Sequence, residues 1–219
     1  MALPLIIAGI GAFLLGAVSV AAIYSPWKGR SITILGPRGS GKTTISEFLR
    51  NGEIPESPSQ TVRTTKHKLK EPLKIKELEL KISEIEDLSG DKSEYTEWKE
   101  STKRNETIFY LMRTDLIIDG NEEYTKRILQ DTKHINEWIE EEKKELYIIG
   151  TYCDKIPNFH DEPHNENVNF LDNVNKNPTI KKLISHFGGR KKAKINFGSL
   201  SSKDSCEDLV YNIFSGENQ

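Results

Sequence analysis

Basic residues are missing where an export signal needs them. The chain opens Met1-Ala2-Leu3-Pro4 and carries no Lys or Arg before Lys28. A secretory signal has a basic n-region, so this absence argues against one. Charge is missing altogether from Leu3 to Tyr24, a run rich in Leu, Ile, Val, Ala and Gly. At about 1.5 Å per helical residue that run can cross a ~30 Å hydrocarbon core. It is apolar on every face, unlike a helix at the surface of a soluble domain. A single transmembrane helix is therefore expected over Leu3–Tyr24, making the membrane a partner of the chain. Trp27 suits the interface, and Lys28 and Arg30 favour the cytoplasmic side, so the N-terminus is expected outside and the globular part in the cytoplasm. Cysteine is scarce: there are 2, Cys153 and Cys206, and they form no C-x-x-C pair. That gives no sign of a disulfide framework or zinc site and fits a reducing compartment. A basic surplus is also lacking. Lys and Arg total 31 against 33 Asp and Glu, a net charge of -2, so no nucleic-acid partner is expected. The 219 residues suit one domain plus an appendage, divided as anchor and linker over 1–30 and globular domain over 31–219.

What is present centres on Ser31 to Thr44, SITILGPRGSGKTT. Ile32-Thr33-Ile34-Leu35 reads as a buried strand that stops at Gly36. Gly36-Pro37-Arg38-Gly39-Ser40-Gly41-Lys42-Thr43 then fits G-x-x-x-x-G-K-[ST] at every required position. Glycines let the backbone turn tightly and present N–H groups to phosphate oxygens. A helix over roughly Thr43–Arg50 points its positive end at the same anion. Lys42 is placed to reach terminal phosphates, and the Thr43 hydroxyl to ligate Mg²⁺.

Further along, Asn51–Thr65 is polar, holds Pro55 and Pro58, and reads as a loop. Leu78-x-Leu80-x-Ile82-x-x-Ile85 alternates as one strand and ends in Asp87-Leu88-Ser89-Gly90, a D-x-x-G turn. A charged helical connector over Lys92–Lys103 leads to a strand at Thr107–Met112. Glu122–Lys144 is a long helix whose inward stripe is Ile128, Ile135, Trp138 and Ile139. Glu145–Gly150 is another strand, running into Thr151-Tyr152-Cys153-Asp154-Lys155. Ile156–Asn177, rich in Asn, Pro and acids, reads as an irregular insertion. A short helix over Thr179–Phe187 follows, then Lys191–Phe197 leads into Gly198-Ser199-Leu200-Ser201. Leu209, Val210, Ile213 and Phe214 face inward from a closing helix. This order predicts an α/β fold, a mostly parallel sheet with helices on both faces. Ligands on such sheets bind at the carboxyl ends of strands, where the phosphate loop, Asp87, Thr151–Asp154 and Gly198–Leu200 all fall.

Taken together, these motifs make the region from about Ser31 to Gly216 resemble the small Ras-like GTPases. Gly41-Lys42-Thr43-Thr44-Ile45, followed by Asn51-Gly52-Glu53-Ile54, looks most like the Arf branch. An Arf-like domain behind one membrane helix is similar in layout to the beta subunit of the signal-recognition-particle receptor. A bacterial membrane-tethered GTPase would share that layout. The resemblance implies a P-loop NTPase G domain that binds guanine nucleotide, GTP or GDP, with Mg²⁺. Gly36, Arg38, Gly39, Ser40, Gly41, Lys42, Thr43 and Thr44 would hold its phosphates. Thr43, Asp87 and a switch threonine at Thr61 would serve the metal; Thr64 and Thr65 lie close enough to compete with Thr61. The Gly90 amide would contact the γ-phosphate. Guanine recognition by [NT]-K-x-D maps onto Thr151, Tyr152 and Asp154, with Tyr152 where the family has Lys. Ser199 and Leu200 match the motif whose backbone amide meets the base oxygen. Catalysis would fall to Lys42, Thr61 and Asp91, the last standing where the family has a water-orienting Gln. Arg38 occupies a loop position where the family often has a small residue. The implied activity is a GTP/GDP switch with slow intrinsic hydrolysis and a protein effector or activating partner. The alternatives are a pseudo-GTPase membrane adaptor and a P-loop ATPase.

Overall fold

In the computed structural model, residues 29–56, 64–139, 144–160, 168–187 and 193–215 are described. Ile32, Ile34 and Leu35 in β1 (Arg30–Leu35) have no exposed surface, as expected of a strand covered on both faces. Helix α1 (Lys42–Asn51) follows the phosphate loop and ends at Gly52, whose N–H returns to Phe48 O. Strands β2 (Thr65–Lys68), β3 (Leu73–Ile75), β4 (Leu78–Leu80) and β5 (Ile82–Asp87) come next, then α2 (Tyr95–Arg104) and β6 (Thr107–Arg113). Helices α3 (Thr114–Ile118) and α4 (Glu122–Ile139) lead to β7 (Glu145–Thr151). The chain then forms α5 (Val168–Lys176), α6 (Pro178–His186), β8 (Ala193–Phe197) and α7 (Lys203–Ser215). Asn177 caps α6, accepting from Thr179 N and Ile180 N, with Pro178 in the first turn.

The main sheet has the order β2-β5-β1-β6-β7-β8. Only the β2–β5 pairing is antiparallel; β5–β1, β1–β6, β6–β7 and β7–β8 are parallel. Alternate residues of each strand serve opposite layers. Phe109 and Leu111 pack with Ile45, Phe48 and Leu49 of α1 and with Leu209 and Ile213 of α7. Ile108, Tyr110 and Met112 pack with Trp98 of α2, Ile128 and Ile135 of α4, and Leu183 of α6. The registers Ile34↔Asp87, Arg113↔Thr151 and Gly150↔Phe197 bring the carboxyl ends of β1, β5, β6, β7 and β8 to one edge.

Three expectations need correction. The fold class with a transmembrane helix ahead of the sheet is replaced by a mixed α/β unit with a mostly parallel central sheet. Among the described residues no helix is long and apolar enough to cross a membrane, and Leu3–Tyr24 lies outside them. The single strand expected from Leu78 to Ile85 is two. Strand β4 pairs with β3 in a separate hairpin closed at Lys76-Glu77, and β5 joins the main sheet after exposed Lys81. An alternating pattern fixes which face is buried but not which strand is the partner. Ile75, Leu78, Leu80, Ile82 and Ile85 all belong to one apolar cluster, which is why the pattern continues across the break. Finally, part of the expected irregular insertion is helix α5, anchored by buried Phe170 and Val174 one turn apart.

Candidate functional site

The site begins where β1 ends. Gly36 has φ +142°, and a Cβ there would sit 2.2 Å from Leu111 O of β6, so only glycine lets the loop leave the sheet at this point. The loop reverses through Gly39 and Gly41, both at positive φ, into α1. Lys42 is 5% exposed and donates from Nζ to Pro37 O at 3.0 Å, so its cation lies under the loop. Burial pulls its pKa down to about 8, and Asp87 opposes that shift. Thr44 follows in the first turn of α1.

Thr43 Oγ1 donates to Asp87 Oδ2 at 3.3 Å, across from the end of β5. A hydroxyl and a buried carboxylate side by side are hard oxygen donors that suit Mg²⁺. Ser40 Oγ is buried without a hydrogen-bond partner among the described residues and lies beside Gly36 at the start of the loop. Thr61 lies outside the described residues. Of its competitors, Thr64 precedes β2 and Thr65 begins it.

The D-x-x-G turn lies directly on the phosphate loop. A Cβ at Gly90 would be 2.4 Å from Arg38 N and 2.6 Å from Pro37 C, so any other residue would part the two loops. Leu88 N donates to Ile34 O at 3.2 Å. Asp91, expected as a catalytic residue, has structural contacts. Its Oδ1 accepts from Ser93 N at 3.1 Å, capping a short 3-10 turn, and its Oδ2 meets Arg38 Nη2 at 2.8 Å. The Ser93 hydrogen bonds, with Arg38 adding to them, hold its carboxyl below the usual range.

At the other end, Thr151 Oγ1 lies 3.0 Å from Ser40 O and 3.1 Å from Met112 O and shares its one proton between them, tying β7 to the phosphate loop and to β6. Asp154 is exposed, and its Oδ1 lies 2.8 Å from Ser199 Oγ. Ser199 Oγ in turn accepts from Ser201 N at 3.1 Å. Leu200 packs against Gly41, where a Cβ would meet its Cδ1 at 2.6 Å. Tyr152 adopts φ +58°. Its ring carries the Arg113 guanidinium at 4.4 Å and the Lys155 ammonium at 4.7 Å, so a base stacking there shares the ring with two cations.

The structure therefore gathers Gly36–Thr44, Asp87–Asp91, Thr151–Asp154 and Ser199–Leu200 along one edge of the sheet. Sequence reasoning missed Arg113, Trp98 and Arg127. Trp98 Nε1 donates to Ser89 O at 2.9 Å, and Arg127 Nη2 to Gly90 O at 3.3 Å. Both sit on charged helices, and nothing local in the sequence signals that they reach the D-x-x-G turn. No protein-family model matches the chain, and no curated protein gives a significant match.

Proposed function

We propose that this protein binds guanine nucleotide with Mg²⁺ and works as a GTP/GDP switch with slow intrinsic hydrolysis. The observation that carries the reading is the meeting of the phosphate loop with the Asp87–Asp91 turn, with Thr43 Oγ1 3.3 Å from Asp87 Oδ2. A glycine-rich loop, a buried lysine and a hydroxyl–carboxylate pair are the parts needed to hold a Mg²⁺-triphosphate. Lys42 would offset phosphate charge, free backbone N–H groups of the loop would donate to phosphate oxygens, and Thr43 and Asp87 would serve the metal. Mg²⁺ held by Thr43 and Asp87 would offset negative charge that develops on the phosphoryl group. Asp154 supplies a carboxylate for the donors on the guanine edge, with Ser199 setting its orientation. Fast turnover would need a protein partner, because Asp91 is engaged by Arg38 and Ser93 and adds negative charge near the phosphates.

Competition binding tests the base. GTP should displace a fluorescent nucleotide far better than ATP. Asp154→Asn should weaken GTP by about 1–3 kcal/mol, the cost of leaving the guanine donors unpaired, and shift preference toward xanthosine triphosphate. ATP binding as tightly as GTP to the wild type would overturn the guanine reading in favour of an ATPase.

A further inference from the structure

Four contacts hold the turn that follows β5. Trp98 Nε1 donates to Ser89 O at 2.9 Å, Arg127 Nη2 donates to Gly90 O at 3.3 Å, Arg38 pairs with Asp91 at 2.8 Å, and Gly90 packs on the Pro37–Arg38 backbone. Arg127 differs from the rest in how it is itself held. Its side chain is 13% exposed, and Nε donates to Asp131 Oδ1 at 2.7 Å. It lies over the rings of Tyr95 and Trp98, at 5.4 and 5.7 Å. Asp131 has no exposed surface and also accepts from the hydroxyls of Tyr95 and Tyr110, the latter at 2.9 Å. Burying this ion pair is expensive unless its geometry is used. The guanidinium fork spans two acceptors, a carboxylate on its own helix and a carbonyl on the turn.

We infer that Arg127 is a positioning residue that fixes the Ser89–Asp91 turn against the phosphate loop, so that the turn meets a terminal phosphate already in place. Asp131 and the aromatic pair of Tyr95 and Trp98 orient the fork, and the fork orients Gly90. The link to phosphate rests on the nucleotide reading above; the clamp on the turn does not. A lysine at this position would keep the charge opposite Asp131 but lacks the second arm. Charge compensation and positioning thus separate in one conservative variant.

The test uses the full chain with Arg127→Lys, and Trp98→Phe as the variant that removes the other donor to the same turn. Backbone hydrogen exchange across residues 88–91 of the nucleotide-free protein is measured first. Exchange should quicken by roughly tenfold in each variant, the effect of losing one hydrogen bond to a charged or buried donor. Exchange in β6 and β7 should stay unchanged. GTP and GDP affinities are then compared, with the GTP:GDP preference falling several-fold in Arg127→Lys while GDP affinity holds. Unchanged exchange at 88–91 would overturn the clamp. Faster exchange with equal weakening of GTP and GDP would overturn the positioning role. Faster exchange in a protein that binds neither nucleotide, wild type included, would uphold the clamp and reject the nucleotide reading.

Discussion

Lys42 shows what burying a cation does to its own protein. With the ordinary lysine pKa at 10.5 and the folded value at about 8, the empty site binds fewer protons than the unfolded chain between those pH values. Stability of the folded protein should therefore rise with pH through that window and level off at its lower value below 8, where the amine is charged in both states. The charged form costs on the order of 3 kcal/mol, since each pKa unit is 1.36 kcal/mol. Lys42→Met is thus expected to stabilise the nucleotide-free protein at pH 7 by roughly 1–3 kcal/mol in urea titrations, a gain that fades above pH 10. The same variant should lose triphosphate binding by calorimetry. Equal stability of the two proteins at pH 7 would mean that the Pro37 carbonyl and Asp87 already compensate the buried charge. Asp91 poses the complementary question. Its carboxylate caps a turn and holds Arg38, so Asp91→Gln should free the guanidinium and remove a negative charge beside the phosphate loop. Single-turnover hydrolysis in Mg²⁺ should rise while GTP affinity stays nearly unchanged. Hydrolysis that is fast in the wild type and lost in the variant would make Asp91 the group that activates water.

Among the elements, those whose pattern is local were legible in the sequence. The run of Thr107–Met112 and that of Glu145–Gly150 are continuous because both faces of β6 and β7 are covered. The phosphate loop was legible because its chemistry needs contiguous residues. The β3–β4 hairpin was not, since β4 and β5 share one apolar cluster and their alternation runs on across Lys81. Helix α5 was hidden by an Asn-rich composition in which Phe170 and Val174 are the deeply buried apolar positions among the described side chains. The edges of the site followed the same rule. Gly36–Thr43, Asp87–Gly90 and Thr151–Asp154 could be read as motifs, whereas Trp98 and Arg127 join them only through the packing of α2 and α4 on the sheet. Phe170 distinguishes a packed helix from an irregular insertion. Its ring meets Phe159 at 5.0 Å and Phe197 at 6.3 Å. Phe170→Ala should lower unfolding free energy by about 3–5 kcal/mol, the usual cost of a buried phenylalanine, where a solvated loop would show almost none.

At the scale of the whole molecule, the site is a seam. The phosphate loop leaves β1, the Asp87 turn leaves β5 on one side, and the Thr151 and Ser199 segments leave β7 and β8 on the other. Thr151 Oγ1 already ties β7 to the phosphate loop and to β6 through Ser40 O and Met112 O. A nucleotide laid along this edge touches the ends of strands from both halves of the sheet, so its binding free energy should appear as stability of the entire fold rather than of one loop. At a ligand concentration of 100 times Kd that contribution is about 2.7 kcal/mol, which for a chain of this size shifts the thermal midpoint by about 5–10 °C. Scanning calorimetry with Mg²⁺ and GTP, or Mg²⁺ and GDP, should show one cooperative transition moved upward by that amount. ATP at the same concentration should move it little. Chelating Mg²⁺ should remove more of the GTP shift than of the GDP shift, because an ion held by the Thr43–Asp87 pair would offset the larger charge of the triphosphate. A low transition that moves with nucleotide while a second stays fixed would mean that the loops bind on their own and the sheet does not carry the coupling.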